Sequence, residues 1–295
     1  MRIETDPASH LDDAAALLSS ATYRDLAAQR PTDAIRRLLR VLSSSSTSTD
    51  ATLADTFDDA LARLVRDYRN EYVFKNAIVS KIVFGRHRPT TASAVLELPL
   101  GSSFADVAVF NGTSTVYEIK TDLDSFARLQ SQVADYRTRI EYVYLVVSAE
   151  RAAVAGRRLP ERVGLVALTS SGSLRTVRHA ESNRDLLRSD HIFGALRQAE
   201  AEAILTAHGI GQTETDPVAR WRRLRDEFAA LPTDAAHAGA VAAFRRRGEK
   251  IVDVATNTAL PKSIRALAYS APLSGAAKAR LLTRLTMPVA LLRGS

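Results

Sequence analysis

Apolar residues recur every three or four positions near the start of the chain, which predicts amphipathic helices. One predicted helix covers residues 32–42, and the next covers 53–68. Between them, residues 43–50 read SSSSTSTD and contain nothing that a core would bury, so we predict a Ser-rich linker there. A third helix is predicted over 70–85, where Gly85 ends the pattern.

From Ala94 the pattern changes to short apolar runs that predict strands. The predicted strands are AVLEL (94–98), SFADVAVF (103–110), STVYEIK (114–120), EYVYLVV (141–147), VGLVAL (163–168) and SLRTVR (173–178). A helix over 125–140 interrupts them, and the helical pattern returns after about residue 185. This order predicts an α/β core over 68–182, preceded by an N-terminal helical region (1–67) and followed by a helical, basic C-terminal region (183–295).

Composition narrows the classes of protein to which the chain can belong. Its 295 residues are 46% apolar, which supplies a core for one large or two ordinary domains. The absence of cysteine excludes disulfides, thiolate metal sites and cysteine nucleophiles. Six histidines occur without an HExxH or HxH pair, so a histidine metal site is not expected. The chain has no long apolar window and starts with acidic residues, so we expect a cytoplasmic protein without a membrane span.

Positive charge is concentrated in the second half of the chain. The net charge is +7, and residues 151–295 alone carry 23 basic and 13 acidic residues. Clustered cations favour an anionic partner, nucleic acid first among them. Of the 40 basic residues 34 are arginine, which could equally reflect the base composition of the genome.

One group of residues looks like a site for chemistry. Glu118 and Lys120 are two apart on one predicted strand and therefore point to the same side of the sheet. Asp106, on the preceding strand, joins them only if the hairpin loop at Asn111 and Gly112 has an odd number of residues. We expect this odd loop, with Gly112 in the left-handed conformation of a bulge.

Two carboxylates in an α/β core repel each other unless a cation lies between them. Oxygen ligands with open coordination positions suit Mg²⁺ or Mn²⁺. A lysine beside such a metal can hold or deprotonate the attacking water and neutralise charge that develops on a phosphate. Asp106, Glu118 and Lys120 are therefore candidate residues for metal-dependent phosphate chemistry.

The segments FADVAVF, YEIK and RLQSQVADY resemble the PD-(D/E)XK nuclease superfamily, and more closely an uncharacterised bacterial family with the signature AD…EIK(S/T)D…RL..Q…Y. The resemblance covers about residues 68–180 and implies a restriction-endonuclease-like mixed sheet flanked by helices. This sequence departs from the pattern at Ala105, where the superfamily motif has a proline.

Carried onto this chain, the resemblance makes Asp106 and Glu118 the metal carboxylates, the carbonyl of Ile119 a further ligand and Lys120 the catalytic lysine. It also implies a glutamine on the next helix, which would be Gln132. Helical geometry puts Gln132 about 70° from the centre of the apolar stripe, from where it can reach the sheet edge.

The resemblance further implies an acidic residue from the first core helix, which would be Glu71.

Each candidate also has a structural alternative. Asp106 could pair with an arginine at the hairpin edge. Glu118 and Lys120 could form a solvated ion pair, although the apolar Val116 on their face argues against it. Gln132 could be ordinary helix surface.

Three other acidic residues near these motifs have simpler explanations. Asp122 and Asp124 are better explained as the cap of the following helix than as metal ligands. Glu97 alternates with leucines and could simply face water.

The sequence thus predicts a Mg²⁺- or Mn²⁺-dependent deoxyribonuclease that acts in repair, restriction or phage defence. The alternative is a non-catalytic DNA-binding or regulatory protein that retains the nuclease fold. Nucleic acid, DNA in particular, is the expected partner. Because enzymes that cut both strands need two sites, a homodimer is a further expectation.

Overall fold

The computed structural model describes residues 7–33, 35, 38, 51–211 and 213–293. Two compact units divide the chain: Met1–Gly85, Thr169–Ser173 and Lys250–Ser295 form the first, and Arg86–Leu168 with Leu174–Glu249 form the second. The Ser-rich linker predicted at 43–50 lies outside the described residues, as does most of the helix predicted over 32–42.

Among the described residues, six strands form one sheet. They are β1 (Ser93–Leu100), β2 (Ser103–Phe110), β3 (Ser114–Lys120), β4 (Tyr142–Ser148), β5 (Gly164–Leu168) and β6 (Leu174–Arg178). Their order across the sheet is the order along the chain. The pairs β3–β4 and β4–β5 are parallel and the other pairs are antiparallel. The sheet is therefore mixed, and the predicted α/β fold is confirmed.

Along the chain, the described helices precede the strands, lie between them and follow them. In chain order they are α1 (Pro7–Leu17), α2 (Ser20–Ala27), α3 (Leu53–Asp67), α4 (Glu71–Ile78), α5 (Leu129–Arg137), α6 (Ala152–Gly156), α7 (Ser189–Phe193), α8 (Gln198–Ala207), α9 (Pro217–Ala229), α10 (Thr233–Glu249), α11 (Val252–Ala255), α12 (Arg265–Ser270), α13 (Gly275–Leu285) and α14 (Val289–Arg293). A π-helical stretch, Val79–Arg86, continues α4. None of the described helices combines the length and apolarity needed to cross a membrane.

The first unit joins the N-terminal helices to the last helices of the chain. Helix α3 begins with a capping box, in which Thr52 and Asp55 satisfy each other's backbone N–H groups. Its predicted apolar face is buried at Phe57 and Leu64. Just before α14, the carbonyl of Met287 accepts a hydrogen bond of 3.0 Å from the first residue of α3. Tyr72 likewise donates its hydroxyl to the carbonyl of Ser263 at 2.6 Å.

The second unit has an apolar core that the sheet shares with helices that lie between its strands and after them in sequence. Phe110 of β2 stacks on Phe244 of α10, with ring centroids 4.4 Å apart. The same buried cluster contains Val133 of α5, Phe193 of α7 and Phe228 of α9. The helices up to Glu249 thus complete the core of the sheet, whereas we expected a boundary at 182/183. Periodicity alone does not show which partner buries a helix face.

Two predicted helices are shorter than their apolar patterns. The helix expected over 125–140 is α5, which begins only at Leu129. Arg151 holds the preceding residues in a loop by donating to the carbonyls of Thr121 and Asp124. The helical pattern after residue 185 begins with two separate helices, α7 and α8, because the Glu200 carboxylate accepts a hydrogen bond from the N–H of Arg197 and so starts a new helix.

Candidate functional site

The hairpin between β2 and β3 sets the position of the two predicted carboxylates. Phe110 pairs with Ser114, which leaves a three-residue loop, and Gly112 in that loop has φ +100°. The predicted odd loop is therefore confirmed. Continued by one residue beyond the last pair, Val107 with Tyr117, this register puts Asp106 opposite Glu118.

The side chain of Asp106 supplies a hydrogen-bond acceptor where the backbone pairing of β2 with β3 ends. Its Oδ2 accepts a hydrogen bond of 2.6 Å from the backbone N–H of Ile119. A side-chain carboxylate thus satisfies a backbone donor of β3 that has left the ladder. This contact ties Asp106 to the strand that carries Glu118 and Lys120. The role of the Ile119 carbonyl as a metal ligand stays a prediction.

Glu118 and Lys120 form a buried ion pair. Lys120 Nζ lies 2.7 Å from Glu118 Oε1, and only 6% of Lys120 and 2% of Glu118 are exposed. The alternative of a solvated pair is therefore wrong, because both side chains are buried.

Gln132 reaches this pair from helix α5, as its place on the flank of the apolar stripe predicted. Gln132 Oε1 accepts a hydrogen bond of 3.0 Å from Lys120, and Gln132 Nε2 donates one of 2.5 Å to Glu118 Oε1. The amide therefore contacts both charges at once, and the alternative of an ordinary surface position is excluded.

Tyr136 is a member of the site that the reasoning from residues did not assign. Its hydroxyl lies 2.8 Å from Glu118 Oε2 and 2.9 Å from the carbonyl oxygen of Phe104. Burial, and after it the negative charge of Glu118, raises the pKa of Tyr136 well above its usual value, so the hydroxyl keeps its proton. The available signal was its spacing, since Tyr136 is one helical turn after Gln132.

Glu97 is exposed, as the expectation that it could face water allowed, and it also lies beside Asp106. It lies in β1 between the pairs Leu96–Val107 and Leu98–Ala105, and hence opposite Asp106. A carboxylate oxygen of Glu97 is within 4.8 Å of one of Asp106. Glu97 has φ +53°, an uncommon conformation for a residue other than glycine. The signal that could have placed it is the short loop after Leu100, which fixes the β1–β2 register.

Asp135 fixes helix α5 to the loop between β1 and β2. Its Oδ2 accepts hydrogen bonds from the N–H of Ser102 at 3.2 Å and from the hydroxyls of Ser102 and Ser103 at 2.7 Å each. Burial opposes its ionisation, but these hydrogen bonds and the charge of Arg139 outweigh burial and lower the pKa of Asp135. The helix that carries Gln132 is thereby held against the strands.

The remaining acidic candidates have other partners. Asp122 accepts a hydrogen bond of 2.5 Å from Ser148. Asp124 accepts from the N–H and the hydroxyl of Thr121, so it closes a turn and does not cap the following helix as expected. Glu71 begins α4 in the first unit and pairs with Lys75, and its expected role as an acidic residue of the site stays a prediction.

The second unit is thus a mixed α/β domain with a buried acid, lysine and amide group at one end of its sheet. Residues 65–259 match the family model of Bacteriophage P4 protein cII, and because this is more than half of the chain, the chain belongs to that family. A relative, Protein cII of Enterobacteria phage P4, is 29% identical over 108 residues, which are 36% of this chain and 41% of that protein. The match thus spans less than half of the relative's length. No solved structure matches the chain.

Proposed function

We propose that this chain is a metal-dependent nuclease that hydrolyses phosphodiester bonds of DNA. The observation that supports the proposal is the convergence of Asp106, Glu118 and Lys120 at one end of the sheet, with Gln132 on the lysine. These are the positions that the resemblance to the PD-(D/E)XK nucleases assigns to catalysis. The net charge of +7 adds support for an anionic substrate.

The donor set at this end of the sheet fits a hard divalent cation such as Mg²⁺ or Mn²⁺. Asp106, Glu118 and the carbonyl of Ile119 would hold it, since all three offer oxygen. Glu97 brings a further carboxylate oxygen close to Asp106. When bound, the metal would supply an acidified water and a positive charge for the phosphate.

The protein's own side chains would orient the attacking water and stabilise charge on the phosphate. Lys120 would hold the attacking water and neutralise charge on the phosphate, while Gln132 keeps the ammonium in place. Tyr136 would keep the Glu118 carboxylate in position through Oε2. Because Lys120 and Gln132 both donate to Glu118 Oε1, a cation on that oxygen would compete with them.

The test is DNA cleavage with Mg²⁺ or Mn²⁺, combined with calorimetric titration of Mn²⁺. We expect cleavage by the unchanged chain, no cleavage by Lys120→Met despite retained Mn²⁺ and DNA binding, and loss of Mn²⁺ binding in Asp106→Asn. Asp122→Asn is the matched control, because Asp122 is a nearby acid that bonds Ser148, and it should cleave normally. Full cleavage by Lys120→Met would refute the assignment.

The hydrogen bonds that Glu118 and Asp106 already accept favour a second function. Both oxygens of Glu118 accept hydrogen bonds, and Asp106 accepts one from the Ile119 backbone, as in a group that serves stability. The chain would then be a DNA-binding or regulatory protein that retains the fold without cleaving. It would hold DNA with steep salt dependence and show neither cleavage nor heat with Mn²⁺.

The proposal also covers the cellular location and the oligomeric state of the protein. We place the activity in the cytoplasm, where cellular DNA of a bacterium is found. A homodimer follows for a duplex substrate cut in both strands, since two sites are then needed. Sedimentation with and without DNA tests this.

A further inference from the structure

We propose that the end of the sheet beside the candidate site binds single-stranded DNA through a surface made by Phe104, Leu123, Arg128 and Arg158, here called the rim surface. This inference rests on the proposed function, because it names the form of DNA that reaches the site. It also goes beyond it, since none of the four residues belongs to the group around Glu118.

Large apolar side chains are exposed on both sides of the candidate site. Phe104, two residues before Asp106, is 58% exposed, and Leu123, three residues after Lys120, is 81% exposed. β2 begins at the end of the sheet where β3 finishes, because the two strands are antiparallel. Both side chains therefore lie at the end of the sheet that carries Asp106 and Lys120.

Cations without acidic partners lie in the same region. Arg128 immediately precedes α5, one helical turn before Gln132, and is exposed. Within the described part of the chain it forms no ion pair. Arg158 lies with its guanidinium 5.8 Å from the centre of the Phe126 ring and likewise has no acidic partner among the described residues.

The loop that carries Leu123 is held in place from inside the protein. Arg151 lies 4.6 Å from the centre of the same Phe126 ring and donates to the carbonyls of Thr121 and Asp124. The acids of this loop, Asp122 and Asp124, accept hydrogen bonds from Ser148 and Thr121. The loop therefore presents Leu123 outward from a fixed backbone.

Exposed apolar side chains next to unpaired arginines fit single-stranded DNA better than duplex. Unpaired bases offer faces that pack on apolar and aromatic side chains, while arginines follow the phosphates. A duplex keeps its bases stacked inside, so Phe104 and Leu123 would meet mainly sugars and phosphates. The positive charge of the arginines suits single-stranded and duplex DNA equally. The exposed side chains of Phe104 and Leu123 are what favour the single strand.

Fluorescence anisotropy in EDTA tests the proposal without cleavage. The probes are a labelled oligothymidylate and a duplex of equal length. We expect tighter binding of the single strand, about 10-fold weaker binding by Phe104→Ala, and retention by Phe104→Trp. Arg128→Gln and Arg158→Gln should each weaken binding and reduce the salt slope by about one.

Matched controls come from the edge strand β6. Val177 is an exposed apolar residue and Arg175 is an exposed arginine, and neither is near Phe104 in the strand order. Val177→Ala and Arg175→Gln should bind like the unchanged chain. Urea unfolding of each variant verifies that the substitutions leave the fold intact.

The outcomes separate this inference from the proposed function. Equal or tighter binding of the duplex, or a Phe104→Ala variant that behaves like Val177→Ala, overturns the rim surface even if the chain cleaves DNA. Conversely, single-strand binding that depends on Phe104, without cleavage in Mg²⁺ or Mn²⁺, supports the rim surface and refutes the nuclease.

Discussion

At the scale of single residues, Glu118 is the centre of the candidate site. Its Oε1 accepts from Lys120 and Gln132, and its Oε2 accepts from Tyr136. Removal of a charged group from water is costly unless it is paired and hydrogen-bonded. The three donors together make a buried carboxylate tolerable at this position.

Loss of the lysine should therefore destabilise the protein strongly. Lys120→Met leaves the Glu118 charge buried without its cation, and we expect a loss of about 3–5 kcal/mol in the free energy of unfolding. The double variant Glu118→Gln with Lys120→Met should regain part of that loss, because no charge is then stranded. Urea unfolding of the unchanged chain, Glu118→Gln, Lys120→Met and the double variant measures the coupling.

Lys278 offers the comparison for this measurement. It pairs with Asp253 at 2.8 Å, but Asp253 is largely exposed. Lys278→Met should cost less than about 1 kcal/mol. Similar losses for Lys120→Met and Lys278→Met would contradict a special role of burial at Glu118.

At the scale of elements, the β2–β3 loop determines which side of the sheet Asp106 occupies. Gly112 has φ +100°, and a Cβ added there would meet no atom within 4 Å. Any effect of a side chain at this position is therefore backbone strain and not a clash.

Gly112→Ala should lower the free energy of unfolding by about 1–2 kcal/mol, since an L-residue pays for a left-handed conformation. Gly211→Ala is the control, because its Cβ would also meet open space and no positive φ applies. It should leave stability unchanged or raise it slightly. Equal effects of both substitutions in urea unfolding would show that Gly112 is not strained.

Helix α10 is anchored at the opposite end of β3 by a buried histidine. His237 Nε2 lies 2.8 Å from the hydroxyl of Ser114, the first residue of that strand. Burial lowers the pKa of His237, and the nearby Glu141 carboxylate only partly offsets this. The folded protein therefore binds this proton less readily than the unfolded chain.

Stability should therefore depend on pH through His237. Its contribution is complete above the unfolded pKa of about 6.5 and is lost as the pH falls from there toward the lower folded pKa. Unfolding measured between about pH 5.5 and 8 should show a shallower pH slope for His237→Gln than for the unchanged chain. If His237→Gln and the unchanged chain show the same pH slope of stability, the dependence comes from other groups.

The elements show where prediction from sequence works and where it stops. Strand alternation and the Asn111-Gly112 loop were sufficient to bring Asp106 to the side of Glu118 and Lys120. Glu97 is exposed as alternation allowed, but its place opposite Asp106 depends on the β1–β2 register, which alternation within one strand does not reveal. Helix α5 was predicted too long because Arg151, distant in sequence, holds the loop before it.

At the scale of the whole molecule, the two units do not follow the order of the chain. The first unit takes its helices from the beginning and the end, and the second takes the sheet and the helices up to Glu249. The sequence predicts three consecutive regions, because a hydrophobic pattern does not show which distant segment buries a given helix face.

Truncation distinguishes these two organisations. In a chain that ends at Glu249, residues 7–33 and 51–85 should lose protection from hydrogen exchange, because α3 loses its bond to Met287 and Tyr72 its bond to Ser263. The sheet should keep its protection, since its apolar cluster lies entirely before residue 250. Unchanged protection of residues 7–33 and 51–85 would contradict the two-unit division.

The composite make-up of the first unit has a consequence for biosynthesis. The ribosome delivers the chain from its amino end, so Phe57 and Leu64 of α3 emerge long before α13 and α14 exist. Domains generally fold as units during synthesis, so a unit with late segments cannot be completed early. The second unit can therefore fold before the first, whose earliest helices keep apolar surface uncovered until the residues after Glu249 have been synthesised.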